Sequence, residues 1–259
     1  MAAAEAANSA VTEDAVLGGR LRLRQPRRGH RVGHDAILLA AATAARPGEH
    51  AVELGAGVGA AGLALAARVP GLTVTLVEVD PRLCALAAEN ARLNQLDDRV
   101  RVLALDVAAP DAFDAAGLKP GCAQRVLMNP PFHHAGRHNL SPDAGRRLAY
   151  AAPAGTLELW IASAARLLAT GGVLTLIWRA DGLAEVTAAL ARDFGGIGVL
   201  PVHPRPAAPA IRIRVRAEKR IRAAMSHYPG LDLNDRDGRP TPAAEAILRQ
   251  GELLALARP

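Results

Sequence analysis

Apolar residues in the middle of the chain follow two alternating rhythms. Short runs rich in β-branched residues predict strands at His50–Leu54, Thr73–Glu78, Arg99–Leu105, Arg125–Asn129 and Val173–Trp178. Between them, alanine- and leucine-rich stretches predict helices at Val58–Arg68, Pro81–Leu93, Thr156–Ala169 and Gly182–Asp193. Strands alternating with helices imply βαβ units, a parallel sheet and right-handed crossovers. The strands are near-continuous apolar runs, as strands covered by helices on both faces must be. The expected fold class is α/β, a doubly wound and mostly parallel sheet.

The rhythm changes after Asp193. Gly198–His203 and Ala210–Ala217 look like two strands joined by the proline-rich link Pro204–Pro209. So short a link makes the pair antiparallel, because a parallel pair needs a longer crossover. From Ile221 onward, Pro229-Gly230 and Asp237-Gly238 signal turns, and Pro242–Arg249 predicts one short helix. Residues 218–259 are therefore expected as a segment appended to a folded unit of 16–217. The alanine-rich start carries Glu5, Glu13 and Asp14 and no basic residue before Arg20. It matches neither a signal peptide nor an arginine-rich transit peptide, so 1–15 is expected as a frayed tail.

Composition narrows the class of partner. The chain has 259 residues, half of them apolar and 22% charged, as in ordinary soluble domains. No apolar run reaches the ~18 residues that span a bilayer, so no membrane partner is expected. Two isolated cysteines, Cys84 and Cys122, make no disulfide framework, which points to a reducing cytoplasm. The net charge is +6, and the arginines cluster. Arg20, Arg22, Arg24, Arg27, Arg28 and Arg31 form one group without an intervening acid. Arg205, Arg212, Arg214, Arg216, Lys219, Arg220 and Arg222 form another, diluted by Glu218. Such groups suit a polyanion.

The run Val52-Glu53-Leu54-Gly55-Ala56-Gly57-Val58-Gly59 passes from the first predicted strand into a helix. Glycines at alternate positions let the backbone turn tightly and approach a nucleoside. The spacing is not that of the dinucleotide fingerprint, and Glu53 would repel a phosphate there. A carboxylate at this point instead suits the cationic end of S-adenosylmethionine. Glu78 ends the second strand, 23 residues after Gly55, where an acid accepts both ribose hydroxyls. Asp80 is a rival for that role, but its place before Pro81 makes it a helix N-cap. Asp106 ends the third strand, placed to accept from an adenine amino group.

Asn129-Pro130-Pro131-Phe132 closes the fourth strand. Ligands of open α/β sheets sit beyond the carboxyl ends of the strands, so this tetrapeptide should face the same crevice as Gly55 and Asp106. The Asn129 side-chain oxygen and the Pro130 carbonyl can both accept from one NH2 group. The prolines stiffen the turn. Phe132, one of only seven aromatic residues, offers a face for a planar group to stack on. His133, His134 and His138 crowd behind the motif, but no acid or cysteine completes a set, so no metal site is expected. The expected chemistry is in-line methyl transfer to an amino nitrogen conjugated to a π-system.

Glu53-Leu54-Gly55-Ala56-Gly57-Val58-Gly59 and Asn129-Pro130-Pro131-Phe132 resemble the shared motifs of class I amino-methyltransferases. With Gln25 ahead of it, Gly29-His30-Arg31-Val32-Gly33-His34-Asp35-Ala36-Ile37-Leu38-Leu39-Ala40 resembles the bacterial enzymes that methylate adenine N6 beside the anticodon of a valine tRNA. The resemblance spans about Val16 to Ala217. It implies a Rossmann-like sheet of seven strands ending in an antiparallel hairpin, and an intact tRNA substrate. It also implies that residues 16–46 help to cover the cofactor, with Gln25, Arg31, Gly33, His34 and Asp35 lining its pocket beside Glu53, Gly55, Ala56, Gly57, Gly59, Glu78, Asp106 and Asn129. His34 stands where the family pattern leads one to expect a small hydroxyl residue. The chain shows no separate RNA-binding module, so RNA contact falls to Arg24, Arg27 and Arg28 and to Arg212, Arg214 and Arg216. A monomer is expected, with a homodimer as the alternative. The same tetrapeptide also serves a protein glutamine amide or a DNA adenine.

Overall fold

The computed structural model describes residues 11–28, 31–109, 111–131 and 155–257. Strands β3 (His50–Leu54), β4 (Thr73–Glu78), β5 (Val100–Ala104), β6 (Ala123–Met128) and β7 (Leu168–Arg179) form the parallel part of the sheet. Helices α2 (Ala60–Arg68), α3 (Pro81–Leu93), α4 (Asp111–Ala115) and α5 (Thr156–Leu167) lie between them in sequence. Beyond β7, helix α6 (Leu183–Leu190) leads to β8 (Phe194–His203) and β9 (Arg212–Lys219). The spatial order is β5-β4-β3-β6-β7-β9-β8. The expected antiparallel pair is present, and β9 is inserted between β7 and β8, antiparallel to both. Two strands of two residues, β10 (Ser226–His227) and β11 (Leu231–Asp232), pair parallel with the outer edge of β8. The described sheet thus has nine strands where the resemblance implies seven.

Alternation along each strand divides the core into two layers. Val52 and Leu54 face α5 and α6, together with Leu157, Ile161 and Phe113. Ala51 faces the other side, toward α1 (His34–Ala42), α2 and α3, with Leu39, Leu63 and Leu65. Each fully buried leucine or isoleucine contributes about 1.5–3 kcal/mol relative to exposure. Asp80 caps α3 by accepting from Arg82 N, with Pro81 in the first turn, as its position in the sequence implies.

The amino-terminal region departs from expectation. Val11–Val16 (β1) lies mostly within the stretch read as a frayed tail, yet it pairs antiparallel with β2 (Leu21–Pro26). Leu21, Leu23 and Gln25 are buried, while Arg22 and Arg24 are exposed. That period-two pattern is a strand signature, masked in the sequence by the density of arginine. The carboxy-terminal segment also does more than append. Leu231 of β11, Ile247 of α7 (Pro242–Leu248), Leu254 and Leu256 join Leu38, Ala41, Leu200 and Val202 in a third apolar cluster between α1 and β8. Among the described residues no helix is long and apolar enough to cross a membrane.

Candidate active site

The carboxyl ends of β3 and β6 meet side by side. Leu54 is paired with Met128 in parallel register, so Gly55 and Asn129 leave neighbouring strands at the same level. Adjacent strands lie about 4.8 Å apart. Leu54 is also paired with Val77, and Glu78 with Ala104, which puts Glu78 and Asp106 on the same edge. Gly55, Asn129, Glu78 and Asp106 thus stand along one edge of the sheet. Phe132, His133, His134 and His138 lie outside the described residues.

Asn129 carries the most telling atom. Its Oδ1 is buried and accepts no hydrogen bond among the described residues. An unsatisfied buried acceptor costs about 1–3 kcal/mol, which a donor arriving in the crevice would recover. Pro130 behind it is buried, so the turn is held on its inner side.

The glycine turn is anchored by backbone bonds, Ala56 N to Val77 O at 2.9 Å and Gly59 N to Ala56 O at 2.8 Å. Gly55 and Gly57 have φ of +68° and +57°, the left-handed region. A Cβ on Gly55 would stand 2.4 Å from Cη2 of Trp160, whereas one on Gly57 would meet no protein atom within 4 Å. Gly57 therefore faces open space, as a backbone that cradles a ligand must. Glu78 is buried, and its Oε2 accepts from Gly57 N at 2.8 Å. Its Oε1 accepts from Val79 N and Asp80 N, both at 2.9 Å. Of the roughly four acceptor sites on a carboxylate, these use three. Asp106 is exposed and accepts from Ala108 N through Oδ1 at 2.8 Å.

Glu53 differs from the anion read in the sequence. It is 6% exposed and points toward α2, where Oε2 accepts from Gly62 N at 2.6 Å. Burial pushes its carboxyl up to about 8, against the Gly62 N–H and with help from the negative Glu78. In the cofactor-free protein at neutral pH it is mostly protonated. An approaching cation would favour its ionised form.

The amino-terminal hairpin climbs along α3 toward this edge. Asn94 accepts from Arg22 N and donates to Arg22 O, and Asn90 does the same with Arg24. Asn90 also donates to Val58 O in the glycine turn at 3.0 Å. Two side-chain amides one helical turn apart thus act as a surrogate neighbouring strand for β2. Chain direction carries β2 toward the carboxyl edge, and the crossing to α1 follows. Gln25 and Arg31 brace this crossing: Gln25 accepts from Val32 N at 2.8 Å and donates to Asp14 at 2.7 Å. Arg31 donates to Asp14 at 2.8 Å and to Thr12 Oγ1 at 3.0 Å. The Gln25 bond, with Thr12 and Arg31, outweighs burial and holds the Asp14 carboxyl below its ordinary range. Gly33 and His34 are exposed at the start of α1.

The arginines divide. Arg27 and Arg28 are exposed where β2 reaches the crevice edge. Arg24 is compensated by Glu13 at 3.4 Å and Glu89 at 3.6 Å. Arg212 and Arg214 both turn to Asp35, at 3.4 and 2.5 Å, and Arg216 lies 3.7 Å from Glu218. Arg214 has no exposed surface, which withdraws it from any RNA-facing patch. Burial lowers its guanidinium pKa, and the Asp35 charge opposes that shift. Alternate residues of one strand share a face, so Arg212 and Arg214 both turn to Asp35 of α1, while Arg205, Arg220 and Arg222 stay exposed. Lys219 and Arg220 end the strand on the opposite edge of the sheet. Sequence reasoning missed Asn90, Asn94 and Trp160. The i, i+4 asparagine spacing, and a tryptophan early in the helix after the Asn-Pro-Pro motif, were the available signals.

The family model for the methyltransferase small domain matches residues 31–203. A tRNA1(Val) (adenine(37)-N6)-methyltransferase of Porphyromonas gingivalis is 31% identical over 160 residues, 60% of this chain and 61% of that protein. A release factor glutamine methyltransferase of Chlorobaculum tepidum is 32% identical over 155 residues, 58% of this chain and 52% of that protein. The chain therefore aligns with less than two thirds of the length of these relatives. A crystal structure from Agrobacterium tumefaciens, described as a predicted O-methyltransferase, superposes with a TM-score of 0.70 at 32% identity, covering 85% of this chain and 97% of the other. The Thermus thermophilus 16S rRNA N2 G1207 methyltransferase shares the fold at a TM-score of 0.56 and 22% identity, over 81% of this chain and 50% of the other. With the glycine turn and the Asn-Pro-Pro turn at adjacent strand tips, and the family model matched across most of its length, the chain belongs to the methyltransferase small domain family.

Proposed function

We propose that the protein transfers a methyl group from S-adenosylmethionine to the exocyclic N6 of an adenine in tRNA, beside the anticodon. The observation that carries this reading is the buried Oδ1 of Asn129, which accepts nothing among the described residues, one strand away from an open glycine turn. S-adenosylmethionine supplies an electrophilic methyl on a sulfonium. The site residues fit that cofactor: Gly55–Gly59 offers close backbone approach, Glu78 keeps an acceptor site for a ribose hydroxyl, and Asp106 has a free Oδ2 for an amino group. Gln25 and Arg31, tied together through Asp14, stand beside it, with Gly33, His34 and Asp35 following at the start of α1.

Asn129 Oδ1 and the Pro130 carbonyl accept both hydrogens of the target amine. Two bonds fix the nitrogen and draw its lone pair out of conjugation, toward the methyl. Alignment on stiff strand tips supplies much of the acceleration. The nitrogen loses one proton to water after transfer. An adenine in an anticodon loop reaches such a crevice at low cost in unstacking. Arg27 and Arg28 stand at its rim to meet phosphates. The names of the Porphyromonas relatives support tRNA over the other acceptors that the tetrapeptide serves. The expected acting form is a cytoplasmic monomer.

The test is incubation with methyl-labelled cofactor and, separately, total tRNA, DNA and release factors. Label in tRNA, released as N6-methyladenosine on digestion, is the expected result. Label only in release factor, or only in DNA, would overturn the substrate assignment while leaving the cofactor assignment in place.

A further inference from the structure

The two tryptophans of the chain are built differently. Trp178 is 2% exposed, donates its indole N–H to Glu185 at 3.2 Å, and carries the Arg179 guanidinium 5.8 Å from its ring centre. Every polar need of that ring is met inside the fold. Trp160, in the second turn of α5, is only half-buried, and no hydrogen bond to its N–H occurs among the described residues. Buried indoles usually find a partner for this group. Its benzo ring lies against Gly55, close enough that a Cβ there would collide with Cη2 and Cζ3. The first glycine of the turn is thus required twice, by its φ of +68° and by this ring.

The placement of Gly55 gives the ring a further role. A methyl donor seated on the glycine turn has to reach the amine held by Asn129, and Gly55 and Asn129 leave hydrogen-bonded neighbouring strands at one level. The charged end of the donor therefore passes the residue on which Trp160 is packed. A cation within about 6 Å of an indole is attracted by the negative face of the ring, and the neutral thioether left after transfer is not.

We propose that Trp160 is a cofactor-binding residue that distinguishes the cationic sulfonium of S-adenosylmethionine from the neutral S-adenosylhomocysteine. It rests on the cofactor part of the proposed function and not on the tRNA part. The ring holds the reactant end more tightly than the product end, so that spent cofactor leaves. Contacts of this type change affinity by about two- to thirtyfold.

The experiment is equilibrium binding of both compounds, without RNA, to the wild-type protein, Trp160→Phe and Trp160→Leu. The expected result for Trp160→Leu is S-adenosylmethionine weakened about tenfold and S-adenosylhomocysteine less than twofold, with Trp160→Phe between. Equal weakening of both ligands, or no change in either, would overturn the proposal, because the ring would then only shape the wall or stand clear of it. Far-UV circular dichroism and a melting curve accompany each variant. Should Trp160→Leu fail to fold, the Phe variant decides by the same ratio of affinities. Wild-type protein that binds neither compound would overturn the cofactor assignment itself, a separate outcome from a changed ratio.

Discussion

Asn90 and Asn129 are the same side chain put to opposite uses. Asn90 lies in the seam between α3 and the amino-terminal hairpin with no exposed surface, and its amide makes three hydrogen bonds, to Arg24 N, Arg24 O and Val58 O. Asn129 follows β6 with a buried oxygen that accepts nothing among the described residues. A satisfied buried amide stabilises one fold. An unsatisfied one weakens the fold and strengthens whatever donor completes it. The difference separates a polar group that holds the protein together from one kept for a visitor.

Substitution can break that contrast at either end. The largest effect belongs to Asn129→Ala: turnover falls by about 10²–10³ or more, while cofactor affinity stays within twofold and thermal stability is unchanged or slightly raised. A matching loss of stability in denaturant titration would make Asn129 structural and erase the distinction. Asn90→Ala leaves buried backbone groups of Arg24 and Val58 without partners, and should cost about 2–4 kcal/mol in urea unfolding. Its chemical step, measured at saturating cofactor on the folded fraction, should stay near wild type.

Glu53 stands between the two cases, buried and, among the described residues, bonded only to Gly62 N. Its folded pKa, about 8, lies above the ordinary 4.5, so the folded state binds the extra proton across that window. Stability therefore falls as pH rises from about 4.5 toward 8, with a slope of up to about 1.4 kcal/mol per pH unit from this group. Unfolding midpoints at pH 6 and 7.5 should differ less in Glu53→Gln than in wild type. An unchanged difference would show that the slope originates elsewhere. The smallest effect concerns the rim. Arg27→Glu with Arg28→Glu should raise the tRNA concentration needed for half-maximal rate about tenfold at low salt and flatten its salt dependence. Arg24→Ala, already shared with Glu13 and Glu89, should change it less than twofold.

Patterns confined to one element were readable from the chain. The bounds of β3, β4 and α3 match the hydrophobic runs that predict them, and the acids and glycines at the strand tips come with those bounds. What required pairing between distant segments was not readable. Arg214 and Asp35 are 179 residues apart, and nothing local in Arg212–Lys219 says that Arg214 is the arginine that turns inward. The hairpin was obscured for a related reason. Its alternate arginines read as charge until the leucines between them are seen buried. The place of Trp160 early in its helix was a signal, but its meaning depends on the glycine it touches, which lies in a distant segment.

The pairing of Leu54 with Met128 bears on how the enzyme fails when heated. Both stations of the reaction hang from a deeply buried ladder, so they cannot drift apart by degrees as a hinge or a loop can. A thermal ramp should show methyl transfer holding steady and then vanishing together with the cooperative melt, with no earlier stage of folded but misaligned protein.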